Sequence, residues 1–474
     1  MTARVEAGLR VVQVVAGRPD PTEEMLTGAI GRAAGMPLSS ASRLCAELVD
    51  LGLLARGEAY GSYRVGPAAL RLSGVASEPS VAAARSALTR LAHGTGETAV
   101  LAVGALGGVR IVDAVPSPWT LHSPARAGEL VADQRSASVQ ALARVGVGMG
   151  GQVTESRIGK CVELAVPVLE PGGECVGVLA VRLPVNRAKE GVPVARRALA
   201  AERRTLERTL DAPRARPTPP GARGGPSSAL AATLVLLEAL GPAEATVSEL
   251  CAATGIRRDR ALRLLESCHR VGFVRFDADG ERMRLTWMLH GWLRAAVRPT
   301  LVAEGAPLVA AAADATGVCA FITVLRGMRS VTLVEEIRSL GAGLDMTPWL
   351  GRPCPIPSAD GGPTLVMDFD PDDIPAFLPR RTDARELADF RRRVAVLVRD
   401  GVLATESFEE AGQTAVTAPI RDASGAVAAA VCLVGTTDDM RPRIPALKAV
   451  ALELSADLSG LVGYRSAAAA GAAA

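Results

Sequence analysis

The sequence predicts an α+β chain in which two winged helix-turn-helix units each precede a GAF/PAS-like α/β domain. Three observations carry that reading. First, "GMPLSSASRLCAELVDLGLL" (35–54) and "GIRRDRALRLLESCHRVGFV" (255–274) align without a gap: Gly35, Ala41, Arg43, Leu44 and Gly52 recur as Gly255, Ala261, Arg263, Leu264 and Gly272, always 220 residues on. The register persists to Arg64 and Arg284. Self-similarity of this length marks a duplicated architecture. Second, each copy runs into two short β-segments around a glycine-containing turn, "LLARGEAYGSYRVG" and "FVRFDADGERMRLT". Third, each half goes on to paired strands and a closing strand–glycine turn–strand, "VELAVPVLEPGGECVGVLAVRLP" and "TAVTAPIRDASGAVAAAVCLVG".

Taken in order, residues 5–17 place Leu9, Val12 and Val15 at helical spacing, and Met25 to Ala34 reads as a second short helix. Gly35-Met36 is a tight turn, Leu38 to Leu51 a third helix buried along Ala41, Leu44, Leu48 and Leu51, and Gly52 its stop. The second copy gives helices at 229–240, 246–253 and 257–270, then its hairpin. Residues 85–95 read as a helix, and "ETAVLAVGALGGVRIVDAV" as two strands joined by a glycine turn. "DAPRARPTPPGARGGPSS" (211–228) has almost nothing to bury and reads as a linker.

The third helix of such a unit is the one placed to enter a major groove. Its exposed start in the first copy carries Ser39, Ser40, Ser42 and Arg43. Small hydroxyls beside unpaired backbone N–H groups suit phosphate, although Ser39 could equally be a plain helix cap. The second copy offers Arg257, Arg258, Asp259, Arg260 and Arg263, in which Arg can read guanine bidentately and Asp can accept from cytosine. Arg270 and Arg275 follow at the helix exit, with Arg64 in the first hairpin and Arg282 and Arg284 in the second. Arginine clustering of this kind is an electrostatic footprint for double-stranded DNA.

Composition narrows the classes. The chain has 474 residues, too many for one core. Aromatics are 3%, so cores are built from Ala, Leu and Val, and the net charge of +3 permits a nucleic-acid partner only through local clustering. Eight scattered cysteines form no Cys/His cluster, so no zinc or other metal is expected. No signal-peptide pattern or membrane-length apolar run is present, which points to a cytoplasmic chain with reduced thiols. "GVGMGG" (146–151) matches G-x-G-x-x-G but lacks the flanking strand and helix of a dinucleotide site. His93, His122, His269 and His290 have no relay or ligand spacing, and the carboxylates of "ESFEEAG" (406–412) read as a solvated edge. No nucleophile motif occurs, so no catalytic residues, cofactor or enzyme activity are expected.

The run of hairpin, "GPAAL", linker helix, "TGETAVLAV", "GR-PCPIPSADGGPTLVM" and "APIRDASGAVAAAVCLVG" resembles the IclR family of bacterial transcriptional regulators, present twice in tandem. The resemblance implies a sequence-specific DNA-binding regulator with an effector-binding domain for a small molecule. It divides the chain into a winged helix-turn-helix at 1–76, a shortened effector-like domain at 77–210, the linker, a second winged helix-turn-helix at 229–298, an effector-binding domain at 299–465 and an Ala-rich tail at 466–474. Only 71 residues separate Gly96 from Pro167, against 102 between Gly317 and Pro419. The first effector-like domain is therefore expected to be too small for the family's pocket. Ligand walls are assigned to the second: Phe321, Thr323, Met346, Trp349 and Cys432. The two tethered helix-turn-helix units are expected to pair within the chain as a pseudo-dimer, compatible with a further homodimer. The alternative is a protein-interaction regulator in which one or both winged helices no longer bind DNA.

Overall fold

The computed structural model describes residues 2–105, 107–146, 148, 151–170, 173–210, 228–241, 243–277, 279–339, 346–379, 381–407 and 411–464. The expected linker, except Ser228, and the Ala-rich tail lie outside them. The chain divides into two compact bodies: Met1–Leu91, Glu97–Ala114 and Leu121–Ala296 form one; Ala92–Gly96, Val115–Thr120 and Val297–Ala474 form the other.

The first body opens with α1 (Thr2–Ala16), β1 (Met25–Leu26), α2 (Thr27–Ala34), α3 (Leu38–Asp50), β2 (Leu54–Arg56) and β3 (Ser62–Val65). The strands form an antiparallel sheet in the order β1-β3-β2. Met25 and Leu26, expected to start a helix, instead pair with Tyr63 and Ser62. The apolar pair is extended because it closes the edge of this small sheet, and the helix starts at Thr27. The helix expected at 85–95 is the end of a longer one, α4 (Pro67–Thr95), which runs across the 76/77 division. Proline suits its first turn, where an N–H would go unused.

Next come β4 (Thr98–Ala105), β5 (Gly108–Val115), β6 (Leu130–Val131), α5 (Ala137–Val145), β7 (Thr154–Ile158), β8 (Cys161–Leu169), β9 (Cys175–Pro184) and α6 (Ala188–Leu210). The six strands make one antiparallel sheet, β6-β5-β4-β9-β8-β7. Alternate residues of β4, β8 and β9 (Val100, Ala102, Ala165, Val178, Ala180) meet Ala137 and Ala141 of α5 in a dry cluster. Small side chains let this helix lie close on the sheet. α6 also packs on β8 and β9.

The first body closes with α7 (Ala229–Leu240), β10 (Ala245–Thr246), α8 (Val247–Thr254), α9 (Arg258–Arg270), β11 (Val274–Phe276), β12 (Arg282–Leu285) and the start of α10 (His290–Ala303), which belongs to the second body from Val297 on. The strand order β10-β12-β11 matches that of β1-β3-β2.

The second body holds α11 (Ala306–Thr316), β13 (Cys319–Arg326), β14 (Arg329–Glu336), β15 (Pro353–Pro355), α12 (Gly362–Leu365), α13 (Ala384–Asp400), β16 (Leu403–Glu406), β17 (Gln413–Arg421), β18 (Val427–Thr436), α14 (Thr437–Met440) and α15 (Ile444–Leu461). Its sheet order, β15-β14-β13-β18-β17-β16, again has the central pair flanked by the two outer hairpins. α12 lies between β15 and β16 as α5 lies between β6 and β7; the extra 31 residues of the second half enter after it, as a 3₁₀ turn at Ile374–Phe377 and α13. Leu365, Phe369, Phe377, Phe390, Val394 and Leu397 bury this region against Val427 and Ala430 of β18.

Candidate nucleic-acid interface and ligand cavities

α2 ends at Gly35 and α8 at Gly255, both in the left-handed conformation (φ 69° and 68°) that turns the chain into the next helix without strain. α3 starts after Pro37 with no side-chain cap, so Ser39 is not the cap: it lies inside the first turn. Ala41, Leu44, Cys45 and Leu48 are buried, whereas Ser39, Ser42 and Arg43 are exposed and Ser40 is half-buried. Arg43 Nε donates back to the Ser39 carbonyl at 3.3 Å. α9 repeats this arrangement after Arg257, burying Ala261, Leu264, Leu265 and Cys268. Arg257, Arg258, Asp259 and Arg263 are exposed; Arg260 is half-buried. Arg258 Nη1 donates to Ser248 Oγ at 2.8 Å and Arg260 Nη2 to the Ser228 carbonyl at 3.2 Å, so two cations of the cluster are steadied by their own unit.

The two hairpins differ sharply. In the first, the Glu24 carboxylate accepts from Ser62 Oγ (2.6 Å) and from the amides of Glu58 and Ala59, which fixes the turn. These hydrogen bonds, Ser62's first, hold the Glu24 carboxyl below its ordinary range. Tyr60 projects from that turn fully exposed, and Arg64 is half-buried beside Glu24. In the second, Arg282 is exposed, but Arg275 and Arg284 do not belong to a free basic face. Arg275 pairs with Glu170 at 2.7 Å and Glu174 at 2.6 Å, and donates to the Cys175 carbonyl at 2.9 Å. Arg284 pairs with Glu170 and, at 3.8 Å, with Glu244. Burial lowers both guanidinium pKa values, that of Arg284 to about 10. The expected cluster is therefore smaller than its arginine count, because carboxylates about a hundred residues away in sequence neutralise two members.

The segments α1–α3 and α7–α9 also touch each other. α1 packs on α7 and α9. Glu6 pairs with Arg270 at 2.8 Å, and Gln13 Nε2 donates to Met288 Sδ at 3.0 Å. Val5, Gly8 and Val11 are buried besides the expected Leu9, Val12 and Val15, so α1 is covered on two faces. That second stripe was legible in the sequence, but one helical face already explained the pattern.

Each α/β domain contains a cavity. In the second body Phe321, Thr323, Met346, Trp349 and Cys432, all five expected walls, line one space of only about 70 Å³. Gly361 explains its size: a Cβ there would stand 2.6 Å from Thr323 Oγ1 and 3.0 Å from Cys432 Sγ, so backbone presses on the cavity floor. Gln413 Nε2 holds Asp360 at 3.1 Å, and the Glu335 carboxylate accepts from the amides of Trp349 and Leu350 at 2.7 and 2.8 Å.

The shortened first domain, expected to lack room, has the larger space. An open cleft of about 810 Å³ lies over β7–β9, lined among others by His122, Ser136, Ser156, Lys160, Glu163 and Arg182. α5 takes the place of α12 here, and among the described residues no counterpart of α13 follows it. Its floor is a buried pair: Arg182 Nε lies 3.0 Å from Glu163 Oε1, and Glu163 also accepts from Ser136 Oγ (2.5 Å) and from Ser138 Oγ (3.0 Å). Burial works against the Glu163 charge, but Arg182 and Ser136 outweigh it and hold its carboxyl below the ordinary range. Sequence reasoning missed Glu163, Arg182, Glu170 and Glu174, since alternation along a strand does not say which partner a charged residue meets.

No group of His, Cys, Asp and Glu able to hold a metal ion occurs among the described residues. No helix among them is long and apolar enough to cross a membrane. Val147, Met149 and Gly150 of "GVGMGG" and residues 408–410 of "ESFEEAG" lie outside the described residues.

Residues 5–58 match the family model described as the IclR helix-turn-helix domain. No curated protein matches the chain. Solved structures similar to it include a putative IclR regulator from Silicibacter sp. TM1040 (20% identity, 50% of this chain and 97% of that one, TM-score 0.37). Others are the Agobacterium tumefaciens repressor BlcR (21%, 50% and 98%, TM-score 0.34) and the Thermotoga maritima IclR (19%, 47% and 93%, TM-score 0.31).

Proposed function

We propose that the chain is a sequence-specific transcriptional regulator built as a tandem IclR duplication, whose two winged helix-turn-helix units pair internally as a pseudo-dimer on double-stranded DNA. The IclR helix-turn-helix match at 5–58 supports the DNA-binding assignment of the first unit. The observation that carries the whole reading is the pairing of α1 with α7 and α9, including Glu6 on Arg270, which joins two recognition helices of 13 residues each. A symmetric dimer reads a palindrome because both halves present the same helix. Here Ser39, Ser40, Ser42 and Arg43 stand in one half and Arg257, Arg258, Asp259, Arg260 and Arg263 in the other, so the operator has two unlike half-sites. The α/β domains serve as effector sensors, and the open cleft of the first is as much a candidate for the ligand as the Phe321–Cys432 cavity of the second.

Footprinting on genomic fragments enriched by the full-length protein tests this. Two protected half-sites of different sequence, about one helical turn or a multiple apart, are expected. Halves interchangeable by inversion would overturn the pseudo-dimer. The protein-interaction alternative has one observation in its favour, the neutralised Arg275 and Arg284, and absence of any enriched DNA would select it.

A further inference from the structure

We propose that Arg275 and Arg284 of the second wing serve not as DNA contacts but as a clasp that fastens the second helix-turn-helix unit to the first α/β domain. This rests on the DNA-binding reading for its consequence, though not for the clasp itself. Two independent features carry it. One is the ion cluster: Glu170 and Glu174 flank the β8–β9 turn, and together they engage both Arg275 on β11 and Arg284 on β12. Arg275 also caps the Cys175 carbonyl at the head of β9. The other is close apolar contact one residue past the wing. A Cβ on Gly177 of β9 would stand 3.3 Å from Trp287 Cε3 and 3.0 Å from the Ala102 carbonyl, so the missing side chain is what lets the indole approach the sheet. Charge and shape meet on the same short stretch of β9.

The repeat sharpens the point. Arg64 and Arg284 occupy equivalent positions, yet Arg64 sits in a wing whose turn is held by its own unit's Glu24. A guanidinium shared with two carboxylates has no charge left to release counterions from DNA. Arg275 and Arg284 are therefore withheld from the duplex, and the second wing transmits the position of the first α/β domain to α9. Ligand entering that domain would then act on one half-site before the other.

The test uses the full-length protein and two readouts. Amide hydrogen exchange over residues 274–285 reports the clasp without DNA. Glu170→Gln with Glu174→Gln is expected to raise exchange there at least tenfold while leaving α1 to α3 unchanged; unchanged exchange overturns the clasp. The salt dependence of affinity for an enriched genomic fragment reports the wing. Arg263→Ala is expected to lower the slope by about one and Arg284→Ala to leave it unchanged, each phosphate contact counting about one. An equal loss from Arg284→Ala would return that arginine to the DNA interface and overturn the clasp. Should the double variant fail to fold, Gly177→Leu, which wedges Trp287 away, must give the same rise in exchange for the clasp to stand. Wild-type protein that binds no DNA defeats the functional reading, and the clasp is then judged on exchange alone.

Discussion

A Cβ on Gly8 would stand 2.7 Å from Leu230 Cδ2, so α1 and α7 meet at a distance that only a glycine allows with Leu230 in its present rotamer. Both positions are buried. This contact sits between the two segments that the proposed pseudo-dimer would pair. Covalent tethering makes such pairing intramolecular, with an effective concentration on the order of mM for a short flexible linker.

Replacing Gly8 by leucine forces a branched side chain into that space. Overpacking of a filled core costs about 1–3 kcal/mol. We expect Gly8→Leu to lower the urea midpoint of the first body accordingly and to weaken binding to a two-half-site fragment far more than to either half alone. Equal losses on all three DNAs would mean that the α1–α7 contact does not couple the units.

Arg43 and Arg263 hold the same repeat position, are both exposed and enter no ion pair among those described. Each should contribute about one unit to the salt slope, and Arg43→Ala and Arg263→Ala should lower affinity at different half-sites. Fluorescence anisotropy at several salt concentrations checks the first, and footprinting of each variant the second. Arg258→Ala and Arg260→Ala should act more weakly than Arg263→Ala, because Ser248 and the Ser228 carbonyl already occupy them.

Local pattern made most of the elements readable. The stripe Ala41, Leu44, Leu48 and its copy Ala261, Leu264, Cys268 made α3 and α9 legible to within a residue, and Gly-centred alternation did the same for the β8–β9 and β17–β18 hairpins. Two kinds of feature escaped. Short edge strands such as Met25–Leu26 carry too few residues to show a period, and their state is set by the strand they pair with. Partners distant in sequence were invisible: nothing near Arg284 announces Glu170, and nothing near Thr323 announces that Gly361 will press on it. The five cavity walls of the second domain could be chosen because strand alternation puts Phe321, Thr323 and Cys432 on one face; the volume they enclose depends on a loop whose path alternation does not describe.

The Glu163–Arg182 pair under the first cleft yields a stability prediction. Their side chains are 7% and 12% exposed, so removing one leaves the other charge buried. Arg182 keeps Glu129 at 3.8 Å and the Pro124 carbonyl at 3.2 Å, so Glu163→Ala is expected to cost up to about 3 kcal/mol at pH 7 rather than the full penalty of an unpaired buried charge. Because the folded-state carboxyl titrates below its unfolded value of about 4.3, its contribution is present above that pH and fades as the pH falls further. The gap between wild type and variant in urea unfolding should therefore narrow from pH 7 to pH 3. A constant gap would mean that packing, not charge, is what Glu163 supplies.

His290 links α4 to α10 and makes the first body acid-sensitive. Ser73 Oγ donates to the Leu289 carbonyl and accepts from the Leu293 amide at 3.0 Å, and His290 Nδ1 lies 2.6 Å from Ser77 Oγ. The ring is buried, and its Nε2 has no hydrogen-bond partner among the described residues. Burial pushes its pKa down to about 4; Asp113 pulls upward, and Arg294 and Arg85 push further down. The folded value thus lies below the unfolded one of about 6.5, so the native protein holds this ring neutral. Its contribution to stability is complete above pH 6.5 and is lost as the pH falls from there towards 4, at up to about 1.4 kcal/mol per pH unit for one proton. Arg294 faces Asp113 at 3.2 Å, so that carboxylate is occupied and offers the charged ring little rescue. Thermal melts from pH 7.5 to 4.5 should show the wild type losing stability faster than His290→Asn, whose amide stands at the Nδ1 position facing Ser77 and does not titrate. Parallel curves for the two proteins would remove His290 from the acid response.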